Sequence, residues 1–102
     1  MINLKADNFN EKIDEGNSLV FFWGPNCNRC HSLKPLIEDI EGDYDNIGFY
    51  DVNIGDSRAL AKREGVRSLP TLIHYENGEA KESINGINAN LDYILDYLDS
   101  IA

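Results

Sequence analysis

The sequence predicts a single α/β domain over residues 1–102, built on a central mixed sheet of four to five strands with helices on both faces. Two observations predict this fold class. Short apolar runs typical of strands alternate with segments that have the apolar spacing of helices, in the order strand, helix, strand, helix, strand, helix. A hairpin and a last helix follow, so the sheet is predicted to combine parallel strands joined by crossover helices with an antiparallel pair.

The first half of the chain predicts three strands and two helices. These elements are an edge strand at 1–4, a helix from Asp7 or Asn8 to Gly16-Asn17, a buried strand at 18–23, a long helix at 28–41 and a strand at 47–54. The unbroken apolar run that ends at Trp23 is typical of a parallel strand covered on both faces, with Phe21 and Phe22 in the core on opposite faces. Pro35 predicts a kink in the long helix because it lacks a backbone N–H, and Gly42 is predicted to be the C-cap of that helix.

The second half predicts a short helix, a β-hairpin and a last helix. These elements are a helix capped by Asp56 or Ser57 that ends at Gly65, strands at 71–75 and 80–85, and a helix capped by Asn88 or Asn90. Asn77-Gly78 is a strong signal for a tight hairpin turn. The last helix carries one apolar stripe, and its other face is predicted to be solvated and without a role. The acidic residues of that face are Asp92, Asp96 and Asp99.

Composition and charge exclude several classes of protein. The formal net charge of −9 at pH 7 argues against nucleic acid and anionic membrane surfaces as partners. No apolar run approaches the roughly 20 residues that span a bilayer, and the N-terminus lacks the pattern of a signal peptide. A cytoplasmic monomer is therefore expected, and its two cysteines are expected to serve redox chemistry or metal binding rather than a secreted disulfide scaffold.

The two cysteines stand where the buried strand gives way to the long helix. Gly24-Pro25-Asn26 cannot continue a strand, and helical spacing begins at Cys30. Cys27 is thus expected at the helix N-terminus, where free N–H groups, the helix dipole and the charge of Arg29 favour the reactive thiolate. Cys30 follows on the same face, within reach of a disulfide. The motif therefore predicts dithiol–disulfide exchange in which Cys27 attacks and Cys30 resolves the mixed disulfide.

The same stretch resembles the active site of the thioredoxin family. The positions that match in register are Trp23, Gly24, Cys27, Cys30 and Pro35, and further matches are the proline loop at 65–72, the turn at 77–79 and Gly86. The similarity covers nearly the whole chain with almost no gaps. It implies the thioredoxin fold and a thiol–disulfide oxidoreductase that reduces protein disulfides without a bound cofactor or metal.

The resemblance also implies how substrate docks and which partners are needed. The Leu69-Pro70 bond is expected to be cis and its loop to abut the cysteine pair, so that an extended substrate pairs with Leu69 like an added strand. Trp23 is expected to shield the dithiol or contact substrate, with core packing as the alternative. The expected partners are disulfide-containing proteins and a thioredoxin-reductase-like or other dithiol electron donor.

Three positions depart from the family pattern. Phe21 stands where the family has a buried Asp that helps to move a proton, and Asp51 stands where the adjacent strand often has a Lys. We hypothesise that Asp51 lies near Cys30 and accepts its proton, with a partly solvated polar residue as the alternative. Asn28-Arg29 replaces Gly-Pro between the cysteines, which predicts a less reducing couple. Asn26 replaces a second Trp on the substrate-binding surface, which points to a changed partner set.

Four other interpretations stay open at this point. Cys27 to His31 matches the Cys-x-x-Cys-His motif that attaches c-type haem, and a zinc site would need both cysteines with His31 and His74. A non-catalytic binding module would keep the thioredoxin fold without useful turnover. A glutaredoxin-like enzyme would use glutathione, although its carboxylates find few cations here besides Arg29 and Arg67.

Overall fold

The computed structural model describes residues 1–102 and contains five strands and four α-helices in the predicted order. The elements are β1 (Ile2–Asn3), α1 (Phe9–Ile13), β2 (Asn17–Trp23), α2 (Asn28–Ile40), β3 (Ile47–Asn53), α3 (Arg58–Arg63), β4 (Thr71–Glu76), β5 (Glu79–Asn85) and α4 (Leu91–Ile101). Two 3-10 turns lie at Glu41–Asp43 and Gly86–Asn88. None of the helices combines the length and the apolar character needed to cross a membrane.

The sheet is mixed and has the strand order β1-β3-β2-β4-β5. β3 pairs in parallel with β1 and β2, whereas β4 pairs antiparallel with β2 and β5. The predicted combination of parallel strands with an antiparallel hairpin is therefore confirmed, and β2 is the central strand. The register between β2 and β3 sets Phe21 beside Asp51.

Each face of the sheet buries its own apolar cluster, because successive strand residues point to opposite faces. Phe21 and Cys30 lie in the cluster between the sheet and helices α2 and α4. Phe22 lies in the cluster between the sheet and helices α1 and α3. The two phenylalanines thus occupy the opposite faces that the sequence predicted, and α2 brings Cys30 into the first of these cores.

The turns and caps agree with the sequence at two positions. Asn77 and Gly78 both have positive φ, 52° and 84°, as the tight hairpin between β4 and β5 requires. Asn90 caps α4, since its Oδ1 accepts from the Tyr93 N–H at 2.9 Å.

Three local predictions were wrong. Gly42 is not the C-cap of α2, because the helix ends at Ile40 and the chain continues into a 3-10 turn that contains Gly42. Asn17 opens β2 instead of ending α1. Asp99 is not merely solvated, because it accepts a hydrogen bond from the Tyr44 hydroxyl at 2.6 Å. That hydrogen bond, together with burial, raises the pKa of Tyr44 to about 12.

Candidate active site

Cys27 and Cys30 form a disulfide at the N-terminus of α2. Cys27 is the N-cap residue, and its Sγ accepts a hydrogen bond from the Cys30 backbone N–H at 3.1 Å. Cys27 is half-buried, whereas Cys30 is only 1% exposed. After reduction, the same N–H and the helix dipole would stabilise negative charge on the Cys27 sulfur, which is also the sulfur that solvent reaches.

Asp51 lies on β3 beside Phe21, toward the carboxyl end of β2, and is only 3% exposed. Its Oδ1 accepts from Trp23 Nε1 at 2.9 Å and from Asn3 Nδ2 at 2.8 Å. The other oxygen, Oδ2, makes no hydrogen bond within the chain. Since no buried side-chain oxygen lacks a partner, Oδ2 keeps contact with solvent. Asp51 is therefore largely enclosed but keeps one oxygen in contact with solvent, and the sequence did not predict its bond to Trp23.

Trp23 is half-buried and covers the first turns of α2. Its ring meets the His31 ring edge-on at 6.0 Å between centroids, and Lys34 Nζ lies 5.3 Å from its centroid. His31 Nε2 lies 2.8 Å from the Pro25 carbonyl oxygen. Because a carbonyl oxygen only accepts, His31 Nε2 donates this hydrogen bond. Trp23 thus bonds to the Asp51 carboxylate and packs against α2. From the sequence, Trp23 was expected to shield the dithiol or contact substrate, with core packing as the alternative.

The Leu69-Pro70 peptide bond is cis, as the resemblance implied. Leu69 lines a groove of about 520 Å³ together with Cys27, Asn26 and Gly24. Pro70 itself is buried beneath this loop. A Cβ at position 24 would come within 2.9 Å of Leu69 Cδ1, so a larger residue there would require the Leu69 side chain to shift.

Arg29 binds an unpredicted partner. Its Nη2 donates to the carbonyl oxygens of Gly86 and Ala89, each at 3.0 Å. The guanidinium is therefore held against the turn before α4, whereas the sequence placed it beside the Cys27 sulfur. Asn28, the first residue of α2, is exposed, and it lines a second groove with Arg29.

His74 lies at the amino end of β2, bonded to Asn17 and Tyr97 and not to the cysteines. The four-ligand zinc set considered from the sequence is therefore not brought together. No group of three or more His, Cys, Asp or Glu residues is arranged to hold a metal ion.

Comparison with known proteins agrees with the resemblance. The family model described as Thioredoxin matches residues 1–100. The chain is 31% identical over 99 residues to a thioredoxin of Staphylococcus haemolyticus, which covers 94% of this chain and 95% of that protein. It is 36% identical over 87 residues to the chloroplastic thioredoxin M4 of Arabidopsis thaliana, covering 82% of this chain but only 45% of that longer relative.

Solved structures show the same fold. A thioredoxin of Plasmodium falciparum superposes with a TM-score of 0.93 at 21% identity, covering 100% of both chains. A mutant thioredoxin of Halobacterium salinarum superposes with a TM-score of 0.85 at 24% identity, covering 98% of this chain and 88% of that one. At these identities the likeness concerns the fold alone, and it confirms the predicted thioredoxin fold, whose mixed sheet of four to five strands has five here.

Proposed function

This chain belongs to the thioredoxin family and is a thiol–disulfide oxidoreductase with protein-disulfide reductase activity, and from that premise we propose that Cys27 attacks and Cys30 resolves. The observation that carries the proposal is the difference between the two sulfurs. Cys27 caps the helix beside an open groove, whereas Cys30 is buried in the core. Only Cys27 is thus accessible to the disulfide of a protein substrate.

The reaction proceeds in two exchange steps that balance. The Cys27 thiolate attacks one sulfur of the substrate disulfide, that S–S bond breaks, and the other substrate sulfur leaves as a thiolate that takes up a proton. Cys30 then loses its proton and attacks Cys27 Sγ, which releases the second substrate thiol. Two electrons pass from the protein to the substrate, and the product is the Cys27–Cys30 disulfide present in this structure.

Substrate docks in the groove beside Cys27. An extended segment pairs with the backbone at Leu69, next to the cis-Pro70, and contacts Asn26, which also lines the groove. Trp23 supports the site from the side of α2.

Asp51 accepts the proton of Cys30 through a water molecule. Three features support this role: Asp51 lies beside Phe21 in register, Phe21 shares a core cluster with Cys30, and Oδ2 has no partner within the chain. The family's carboxylate, absent at Phe21, is thereby replaced from the neighbouring strand.

Asn28 and Arg29 tune the redox couple, and an external dithiol supplies the electrons. The charge of Arg29 favours the reduced, thiolate form, although its bonds to Gly86 and Ala89 hold it toward α4. The donor is a thioredoxin-reductase-like protein or another dithiol. The cytoplasmic location and the monomeric state stay predictions.

Turnover of insulin disulfides with dithiothreitol as donor tests the proposed function. The wild-type chain is expected to accelerate insulin reduction, and Cys27→Ser is expected to abolish the acceleration. Circular dichroism of both proteins under reducing conditions is the control, because it separates lost chemistry from lost folding. Equal rates with and without the wild-type chain would leave it a non-catalytic binding module.

A further inference from the structure

The wall of the Cys27 groove formed by α3 carries two cations. Arg58 and Lys62 both line this groove, as expected for residues four apart on one face of a helix. None of the chain's 18 acidic residues lines it, not even Asp56 in the adjoining loop. The groove is therefore a positive site on a protein with a net charge of −9.

Neither cation is neutralised within the chain. The ion pairs of the folded protein use the N-terminal amine, Lys34, Arg63 and Lys81. Arg29 donates its hydrogen bonds to backbone carbonyl oxygens. Arg58 and Lys62 make no ion pair, both are exposed, and their charges act on whatever occupies the groove. Low-dielectric groove walls, here including Ile54, Val66 and Leu69, concentrate such a field.

We propose that this groove binds an acidic segment next to the disulfide of a protein substrate, with Arg58 and Lys62 as the residues that determine this specificity. The proposal rests on the proposed function, since it assigns a substrate class to the same site. Elsewhere the negative surface repels an acidic segment, so the two cations also direct it to the one edge where Cys27 is accessible. A basic segment is attracted to the remaining surface and repelled at the groove.

Two peptide disulfides that differ only in the residues flanking the cysteine test the proposal. One carries Asp and Glu, the other Lys and Arg, and kcat/KM is measured for each at low salt. The wild-type chain is expected to prefer the acidic peptide. The double variant Arg58→Gln/Lys62→Gln is expected to lose about fivefold in kcat/KM for that peptide, since exposed ion pairs contribute about 0.2–1 kcal/mol each. The change is expected mainly in KM.

A matched variant controls for net charge. Lys5→Gln/Lys12→Gln removes the same two positive charges from exposed residues that do not line the groove and make no ion pair. It is expected to keep the wild-type preference. An equal loss in both double variants would show a net-charge effect and overturn the proposal, as would an unchanged preference in the Arg58/Lys62 variant.

Salt and small disulfides separate the remaining outcomes. Raising the salt from about 0.01 M to about 1 M shortens the Debye length from about 30 Å to about 3 Å, so the acidic preference is expected to disappear. A preference that persists at high salt would overturn the proposal. The proposal would also be overturned if the Arg58/Lys62 variant lost kcat/KM only for glutathione disulfide, because the groove would then serve a small ligand. Reduction of the uncharged bis(2-hydroxyethyl) disulfide is expected to be equal in all three proteins, whereas a wild-type chain that does not accelerate insulin reduction would refute the proposed function itself.

Discussion

β2 begins at Asn17 and ends at Trp23, and a set of hydrogen-bonded polar side chains lies at each of these ends on the same face of the sheet. At the amino end, His74 of β4 bridges two partners. Its Nε2 lies 2.8 Å from Asn17 Oδ1, and its Nδ1 lies 2.6 Å from the Tyr97 hydroxyl of α4. A carbonyl oxygen only accepts, so Nε2 carries the proton and Nδ1 accepts from Tyr97. This set satisfies both ring nitrogens of a buried histidine.

At the carboxyl end, Asp51 takes the corresponding place between Trp23 and Asn3. Here both hydrogen bonds converge on Oδ1, and Oδ2 has no partner within the chain and stays in contact with solvent. The Cys27–Cys30 disulfide adjoins this end, and Trp23 links it to α2.

The difference between the two ends separates stability from chemistry. A buried polar set whose bonds are all made contributes to stability and fixes the strands. At the carboxyl end, one carboxylate oxygen of Asp51 has no partner within the chain, and we propose that this oxygen moves a proton for Cys30. We therefore expect substitutions at the amino end to change the free energy of unfolding, and those at the carboxyl end to change turnover.

Replacing His74 is expected to have the largest effect on stability. His74→Leu replaces the imidazole with an apolar side chain of similar size. It removes both hydrogen bonds and leaves Asn17 and Tyr97 without their partner. The free energy of unfolding in urea is expected to fall by about 2 kcal/mol. The kcat/KM of the folded variant is expected to be unchanged, and a tenfold loss of turnover at wild-type stability would contradict the division between the two ends.

Replacing Asp51 is expected to act on rate instead. Asp51→Asn keeps an oxygen that accepts from Trp23 and Asn3 but removes the carboxylate that takes up a proton. Reduction of a model disulfide at pH 7 is expected to slow by at least about tenfold, a lower limit set below the roughly 10²–10⁴-fold that general base catalysis typically contributes. If the rate is unchanged, the proposed role of Asp51 is wrong.

Replacing Arg29 is expected to shift the redox couple modestly. Arg29→Gln removes a charge that favours the thiolate, so the potential is expected to fall by about 15 mV, equivalent to about 0.7 kcal/mol. Equilibration with glutathione buffers, followed by Trp23 fluorescence, measures it. Lys12→Gln is the control, because it removes one positive charge from a residue outside the active site. A shift to a higher potential would show that Arg29 acts through its bonds to Gly86 and Ala89 rather than through its charge.

Acidification is expected to have the smallest effect, through His74 at the amino end. Burial lowers the pKa of His74 below its usual value of 6.5. The unfolded chain therefore binds this proton more readily, so the stability contributed by neutral His74 is complete above about pH 6.5 and is lost as the pH falls below it. The His74→Leu variant is expected to lack this part of the pH dependence in urea titrations between pH 5 and 8. An identical slope in both proteins would contradict it.

Local signals in the sequence predicted the secondary structure, the turns and the faces of the strands. They did not predict the long-range side-chain contacts. The turn at Asn77-Gly78 and the opposite faces of Phe21 and Phe22 follow from neighbouring residues alone. The bonds from Trp23 to Asp51 and from Arg29 to Gly86 join residues 28 and 57 positions apart. They depend on strand register and on where α4 begins, which periodicity does not determine. The resemblance located the cysteines and the cis-proline, but gave no sign of the cations on α3.

Trapping the mixed disulfide tests most directly the claim that the chemistry resides in Cys27 at the carboxyl end of β2. Cys30→Ser and Cys27→Ser are each reduced, mixed with a disulfide-containing protein and analysed by non-reducing mass spectrometry. Cys30→Ser is expected to accumulate a one-to-one adduct through Cys27, because no thiol remains to resolve it, and Cys27→Ser is expected to form none. An adduct through Cys30 in the Cys27→Ser protein, with none in Cys30→Ser, would contradict the account by reversing the two roles.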